Sequence, residues 1–175
     1  MEGTRERNAG EPWWGGVLAL AAGTLGPVWL WARRVGYEDV ARPLTAEDRA
    51  ELAPYFDGTV LDAVRVAVVK RIENPVAFEV WRAMGRSVPV DLTGVWGMCF
   101  GDVVAVTRGA METRGLSTLF HELVHTVQMR RVGMGRFCRG YVGEFVRFGY
   151  AGIGFEEEAF ELQGRFERGE VFGVE

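Results

Sequence analysis

Hydrophobic and polar positions divide the chain into a polar start, a long uncharged stretch and a mixed remainder. Residues 1–12 are polar and carry charges of both signs, which predicts a mobile N-terminus. Residues 13–32 carry no charge, and this length suffices to cross a bilayer as a helix. From Pro43 onward short apolar runs alternate with polar ones, which predicts one compact domain over residues 43–175.

The uncharged stretch and the two arginines after it define a segment over residues 13–34. Its ends carry tryptophan pairs, as in the aromatic belts of membrane helices. The four tryptophans are Trp13, Trp14, Trp29 and Trp31. Pro27 would kink or end a helix, so two interpretations stay open: a membrane anchor, or shorter helices that lie in the interface or pack on the domain. Because arginines follow the stretch, we expect the domain in the cytoplasm or on the cytoplasmic face of the inner membrane.

Within the domain, strands are predicted first and helices afterwards, which is the α+β pattern. Thr45 followed by Asp48 is typical of a helix N-cap, for a helix to about Tyr55. Residues 64–69 are rich in β-branched side chains and predict a strand, whereas residues 95–106 predict a hairpin or a bulged strand. Further helices are expected at residues 76–84, 117–132, 136–148 and 155–168, with a turn at residues 109–115.

Composition narrows the possible functions. The chain is 48% hydrophobic and 25% charged, which excludes a disordered protein, and its net charge of −4 argues against a nucleic-acid partner. Cys99 and Cys138 are too few for a disulfide scaffold, so we expect buried thiols in a reducing compartment, with a single disulfide as the alternative. Only two histidines are present, so any histidine-based metal site must use both.

These histidines belong to the motif His121-Glu122-Leu123-Val124-His125, within an uncharged helical stretch. Positions i and i+4 share a helix face, so both imidazoles can bind one metal ion, and Glu122 lies beside that face. A glutamate there can accept a proton from a water molecule on the metal. The alternative is that both histidines form hydrogen bonds within the core while Glu122 pairs with an arginine.

The third ligand has to be a carboxylate, because the chain has no third histidine. Candidates lie at residues 155–160, where the last helix begins. Ala159 and the flanking phenylalanines mark the face that can approach the histidine helix, and Glu156 shares the face of Ala159. Glu157 and Glu158 point progressively away and favour solvent.

The pair of motifs, H-E-L-V-H-T-V-Q at residues 121–128 and E-x-x-A at residues 156–159, resembles the gluzincin class of zinc metallopeptidases. It is most similar to small bacterial domains with an H-E-L-x-H-x-x-Q helix, over roughly residues 95–168. The resemblance implies a minimal zincin-like fold, Zn²⁺ on His121, His125 and Glu156, and peptide-bond hydrolysis with Glu122 as general base.

One position departs from that pattern. Better-known gluzincins often place an aspartate directly after E-x-x-A to orient a ligand histidine, whereas this chain has Phe160. The supporting hydrogen bond must then come from Glu158, Asp102 or a backbone carbonyl. Besides the metal, the oxyanion of the transition state needs a donor, and Tyr141, Arg147 and Tyr150 are the candidates.

The resemblance also implies that a peptide or protein substrate binds as an added strand along a sheet edge. Residues 99–106 precede the histidine helix and are the candidate edge, with an ordinary core strand as the alternative. The basic stretch 130–147 could contact an anionic membrane, or its arginines could pair with the acidic C-terminal helix.

Two other classes of function stay open at this point. The first is a metal-stabilised, non-catalytic interaction module, possibly associated with a membrane through residues 13–34. The second is a membrane adaptor in which the motif is incidental, and it predicts no bound metal. The sequence leaves the oligomeric state undecided.

Overall fold

The computed structural model describes residues 15–74, 82–83, 85 and 91–175. The α+β class is confirmed: six α-helices and a four-stranded mixed sheet lie within these ranges. The helices are α1 Gly15–Tyr37, α2 Ala46–Leu52, α3 Gly58–Ala63, α4 Arg108–Val132, α5 Met134–Phe148 and α6 Gly154–Glu167. The strands are β1 Arg42–Pro43, β2 Arg65–Val69, β3 Gly97–Cys99 and β4 Val103–Thr107. The N-terminus 1–12, Trp13, Trp14 and most of the helix predicted at residues 76–84 lie outside the described residues.

The sheet has the order β1-β2-β4-β3, with β2 and β4 parallel and the two outer pairings antiparallel. The predicted strand at residues 64–69 and the predicted hairpin at residues 95–106 are therefore confirmed. The hairpin turns at Gly101, whose φ of +88° favours glycine. Residues 99–106 do not form a free edge for most of their length. β4 pairs on both sides, as the alternative of a core strand predicted, and of this hairpin only β3 lies at an edge of the sheet.

The histidine helix begins earlier than predicted. Thr107 ends β4 and caps α4 directly, its hydroxyl accepting a hydrogen bond from the backbone N–H of Ala110. The turn expected at residues 109–115 was therefore wrong: Gly109 and Gly115 lie inside the helix, and the break is a kink at Arg114 (φ −144°, ψ 27°). Both glycines adopt helical conformations because the strand passes straight into a capped helix.

The remaining helices follow the predictions closely. Thr45 caps α2 by accepting a hydrogen bond from the N–H of Asp48, but the helix ends at Leu52 rather than near Tyr55. The helices predicted at residues 136–148 and 155–168 are confirmed as α5 and α6, each within two residues of the predicted bounds. Both cysteines are buried and free, as expected.

The N-terminal segment forms one helix, α1, which continues through Pro27 instead of ending there. It packs antiparallel along α5 through small residues. A side chain on Gly26 would stand 2.8 Å from Cβ of Cys138, and one on Gly135 would stand 2.9 Å from the carbonyl oxygen of Gly23. The close approach of these backbones leaves no room for larger residues, so α1 is joined to the rest of the fold along its length.

Two apolar clusters include residues of α4. One packs α2, α3 and α6 against the N-terminal part of α4 and includes Phe120 and Leu123. The other joins α1, α5 and the β3–β4 hairpin around Phe100 and Met129. Residues 118–129 of α4 are consequently buried without interruption, and the polar groups of the motif lie inside the protein.

Candidate metal centre

The centre is built on the buried middle of α4. His121, Glu122 and His125 are 8%, 6% and 6% exposed, so each has been removed from water at considerable cost. The two rings lie edge to face with their centroids 4.8 Å apart, and their Nε2 atoms are 3.2 Å apart. Because both residues lie on one face of α4, the two Nε2 atoms point to the same position.

Glu156, in the first turn of α6, completes a group of three possible metal ligands. Its Oε2 lies 3.2 Å from Nε2 of His121 and its Oε1 lies 3.3 Å from Nε2 of His125. Atoms bound to one tetrahedral zinc ion at about 2.0–2.1 Å are about 3.3–3.4 Å apart. The three buried donor groups could therefore hold a metal ion.

Two glutamines orient the imidazoles. Nδ1 of His121 lies 3.0 Å from Oε1 of Gln163, and Nδ1 of His125 lies 2.7 Å from Oε1 of Gln128. The amide nitrogen of Gln128 donates to the carbonyl of Phe155 and to Glu158, while that of Gln163 donates to Ser117. Both amide oxygens therefore act as acceptors from the Nδ1 side, which turns each imidazole so that its Nε2 faces Glu156.

Two tyrosines hold the carboxylate of Glu156. The hydroxyl of Tyr141 donates to Oε1 at 2.7 Å and that of Tyr150 donates to Oε2 at 2.8 Å. Burial and the nearby charge of Glu156 raise the pKa of both phenols, so they stay protonated and remain donors. Burial alone would raise the pKa of Glu156, but hydrogen bonds from both imidazoles outweigh it and hold that pKa well below its ordinary value.

Glu122 lies beside this group, under the edge strand β3. It accepts a hydrogen bond from the backbone N–H of Cys99, and burial raises the pKa of its carboxyl above the ordinary value. Gly97 leaves the space that the carboxylate occupies, since a Cβ there would stand 2.7 Å from Oε1 of Glu122. Within the described ranges no arginine pairs with Glu122, so the alternative of an arginine-neutralised core glutamate has no support in its contacts.

The charges at the centre favour a cation. Burial lowers the pKa of His125, but the hydrogen bond and charge of Glu156, together with the charge of Glu122, outweigh it and leave the pKa raised. A positive charge on the imidazole side of the centre is therefore stabilised by two buried carboxylates. A divalent cation at this position would be stabilised by the same two carboxylates.

The other predicted site residues lie in different places. Glu158 does not contact a histidine; it accepts from Gln128 and pairs with Arg131 at 2.7 Å. Asp102 lies in the turn between β3 and β4, where it pairs with Arg34 of α1, away from the histidines. Arg147 is exposed on α5. Glu157, which was expected to face solvent, is exposed on α6.

Phe160, which replaces the aspartate of better-known gluzincins, packs its ring against His121 at a centroid distance of 4.6 Å. The polar support for that histidine comes instead from Gln163, one turn further along α6. Gln163 is seven residues after Glu156 and so shares its helix face, a spacing that could have indicated it. Gln128 was visible in the motif itself, three residues after His125, whereas the role of Gly97 depends on how β3 crosses α4 and has no local signal.

Comparisons with family models, with curated proteins and with solved structures find no match to this chain. The resemblance to gluzincins therefore depends on the two motifs, and the geometry of the centre has to carry the functional argument.

Proposed function

We propose that this protein is a zinc-dependent peptidase of the gluzincin type, with a minimal zincin-like fold. The observation that carries the proposal is the convergence of two Nε2 atoms and one carboxylate, buried and 3.2–3.3 Å apart, beside a second buried carboxylate that is not one of the three. A purely structural site has no use for the additional, costly carboxylate of Glu122.

Each residue has a distinct role in this proposal. His121, His125 and Glu156 hold the zinc ion, while Gln128 and Gln163 keep both Nε2 atoms directed at it. When bound, zinc would lower the pKa of a water ligand towards about 7 and polarise the scissile carbonyl. Glu122 accepts the proton of the attacking water and passes it to the leaving amine, a role that suits its raised pKa.

The hydrogen-bond donor to the oxyanion is one of the two tyrosines. Both hydroxyls lie within 2.8 Å of Glu156 oxygens, and Tyr150 is 48% exposed, so it can turn towards a substrate. Tyr141 is held more deeply and is better suited to positioning the carboxylate. We therefore assign Tyr150 the oxyanion role that the sequence left among three candidates.

The substrate is a peptide or protein segment in an extended conformation. β3 is the edge strand nearest Glu122, and its short length offers only a few backbone groups for pairing. Main-chain pairing of that kind recognises an extended chain with little preference for its sequence.

The experiment compares wild type, Glu122→Gln and the matched control Glu112→Gln, which lies on the same helix in an exposed position. Casein and a mixture of unstructured peptides serve as substrates, with cleavage followed by mass spectrometry and zinc measured in the same samples. We expect Glu122→Gln to lose at least a hundredfold in rate while keeping its zinc, and Glu112→Gln to match wild type. Full activity in Glu122→Gln would refute the general-base assignment. Zinc in the wild type without any cleavage would favour the non-catalytic module.

A further inference from the structure

The face of α1 that points away from α5 is apolar over its whole length. Its large exposed side chains are Val17, Leu18, Leu20, Leu25, Val28, Trp31 and Val35. Thr24 is polar, but its hydroxyl bonds back to the carbonyl of Leu20 within the helix. The helix has 23 residues and is therefore about 35 Å long, so the exposed apolar stripe is long and continuous. A surface of this kind marks an interaction site.

The opposite face of α1 determines how such a surface can meet a membrane. It packs along α5 from its first residue, where a side chain on Gly15 would stand 2.9 Å from Val146, to Gly26 beside Cys138. α5 carries charged residues, among them Arg136, Arg139 and Glu144. If α1 crossed a bilayer while it kept this packing, those charges would enter the hydrocarbon core, which is strongly unfavourable. The packing is therefore compatible with a helix that lies in the plane of the membrane.

Charge at the border of the stripe indicates the type of lipid. Arg136 and Arg139 are exposed, and in the described part of the chain neither has an acidic partner. The side chain of Arg139 runs across Gly23 of α1, beside the apolar face. Exposed arginines next to an apolar helix face favour an anionic lipid surface. In a symmetric pair of chains joined through the same face, the like charges would be brought close together, which disfavours a second copy as the occupant.

We propose that α1 binds an anionic bilayer surface in the plane of the membrane, with its apolar outer face inserted among the lipids. α5 then separates α1 from the metal centre, since it contacts α1 through Gly135, Cys138 and Gly143 and directs Tyr141 from its other side towards Glu156. The metal centre therefore lies outside the membrane, separated from α1 by the thickness of about one helix. The proposal is independent of whether the centre is catalytic.

Flotation of the full chain with lipid vesicles tests whether an anionic bilayer binds the apolar face of α1. We expect binding to vesicles of equal parts phosphatidylglycerol and phosphatidylcholine, and little binding to phosphatidylcholine alone. Val28→Asp should lower the partition coefficient at least tenfold, whereas the matched Val171→Asp, at a valine that is 78% exposed in the C-terminal tail, should leave it unchanged. Arg136→Gln and Arg139→Gln should each lower it about fivefold. Equal binding by both aspartate variants would overturn the proposal. A chain that is dimeric by light scattering and does not bind vesicles would overturn it as well.

A second measurement separates a helix in the plane from a spanning helix. The variants Val17→Cys and Val35→Cys are each labelled with a fluorophore at the substituted position. Dithionite does not cross the bilayer and can reduce this fluorophore from outside the vesicle. The native cysteines are buried and remain unlabelled. A helix in the plane exposes both labels to the same leaflet, so both should be reduced from outside at similar rates. Protection of one label and reduction of the other would show a spanning helix and contradict the proposal.

Discussion

Gly97 is the residue on which the position of Glu122 depends most directly. The edge strand β3 passes over the centre at the distance of a backbone contact, and a Cβ at position 97 would stand 2.7 Å from Oε1 and 2.9 Å from Cγ of Glu122. The carboxylate is also held by the N–H of Cys99, two residues further along the same strand. A small shift of this side chain would break both the hydrogen bond and the alignment with the metal ligands.

Gly97→Ala should therefore reduce turnover while leaving the metal ligands untouched. We expect kcat to fall by about a hundredfold, because a displaced base loses its contribution to proton transfer, with zinc content equal to that of wild type. Gly94→Ala is the matched control, since a Cβ there meets nothing within 4 Å. Equal kcat values for the two variants would contradict this account of Gly97.

Among individual residues, the sequence was sufficient to predict the possible metal ligands but not the residues that form hydrogen bonds to them. The spacing of His121 and His125 on one helix face and the face shared by Glu156 and Ala159 identified the three groups that the structure brings together. The hydrogen bond to a ligand histidine was expected from Glu158, Asp102 or a backbone carbonyl, yet His121 is held by the neutral amide of Gln163. Amides are common on helix surfaces, so only the tertiary arrangement reveals which of them faces an imidazole.

At the scale of elements, α1 and α5 form a close helix pair whose contact depends on glycine. Gly26 packs against Cys138, and a Cβ added at Gly26 would stand 2.8 Å from Cβ of that cysteine. Gly16, on the exposed side of the same helix, has nothing within 4 Å. The two positions also differ in sequence context, because Gly26 precedes Pro27, whose ring disfavours the helical conformation for a residue with a side chain before it.

Substitution by alanine should therefore act in opposite directions at the two positions. Gly16→Ala should stabilise the protein by a few tenths of a kcal/mol, up to about 0.5, because alanine favours the helix and position 16 lies in its first turn. Gly26→Ala should destabilise it by about 1–3 kcal/mol, because the overpacked methyl group outweighs that gain. Urea unfolding of both variants measures the difference. Equal stabilisation by both would show that α1 does not pack on α5 in solution.

Elements with a strong local signal could be predicted, and those set by tertiary contacts could not. The β-branched residues of β2 were sufficient to predict that strand, and the capping residue Thr45 was sufficient to predict the start of α2. The start of α4 was placed too late because Gly109 and Gly115 are typical turn residues, although the cap at Thr107 carries the helix through both. Pro27 was expected to kink or end a helix, yet α1 does not end there, because Leu30 beyond it is buried in one cluster with Phe137 and Cys138 of α5.

For the whole molecule, the metal centre joins parts of the chain that are distant in sequence. His121 and His125 lie on α4, which contributes residues to both apolar clusters, and Glu156 lies on α6. A zinc ion bound by all three would link α4 to α6 and would exist in the folded state alone. Binding of this kind adds directly to the free energy of unfolding.

Zinc should accordingly raise the melting temperature of the metal-free protein. At a free zinc concentration a hundred times Kd, the stabilisation is about 2.7 kcal/mol, which corresponds to about 5–10 °C for a chain of this size. Magnesium should have no such effect, because two of the three donors are nitrogen atoms. Differential scanning calorimetry measures both. An equal shift with magnesium would point to non-specific binding of cations.

The central claim is that three residues hold one zinc ion, and the most direct test is the metal content of the full chain purified without chelators. Wild type and Glu122→Gln should each contain about one zinc ion per chain, and Glu156→Gln should contain much less. Glu157→Gln is the matched control, because Glu157 is the next residue of α6 and its side chain is exposed; it should retain its zinc. Absence of zinc from the wild type, or full zinc content in Glu156→Gln, would contradict the account.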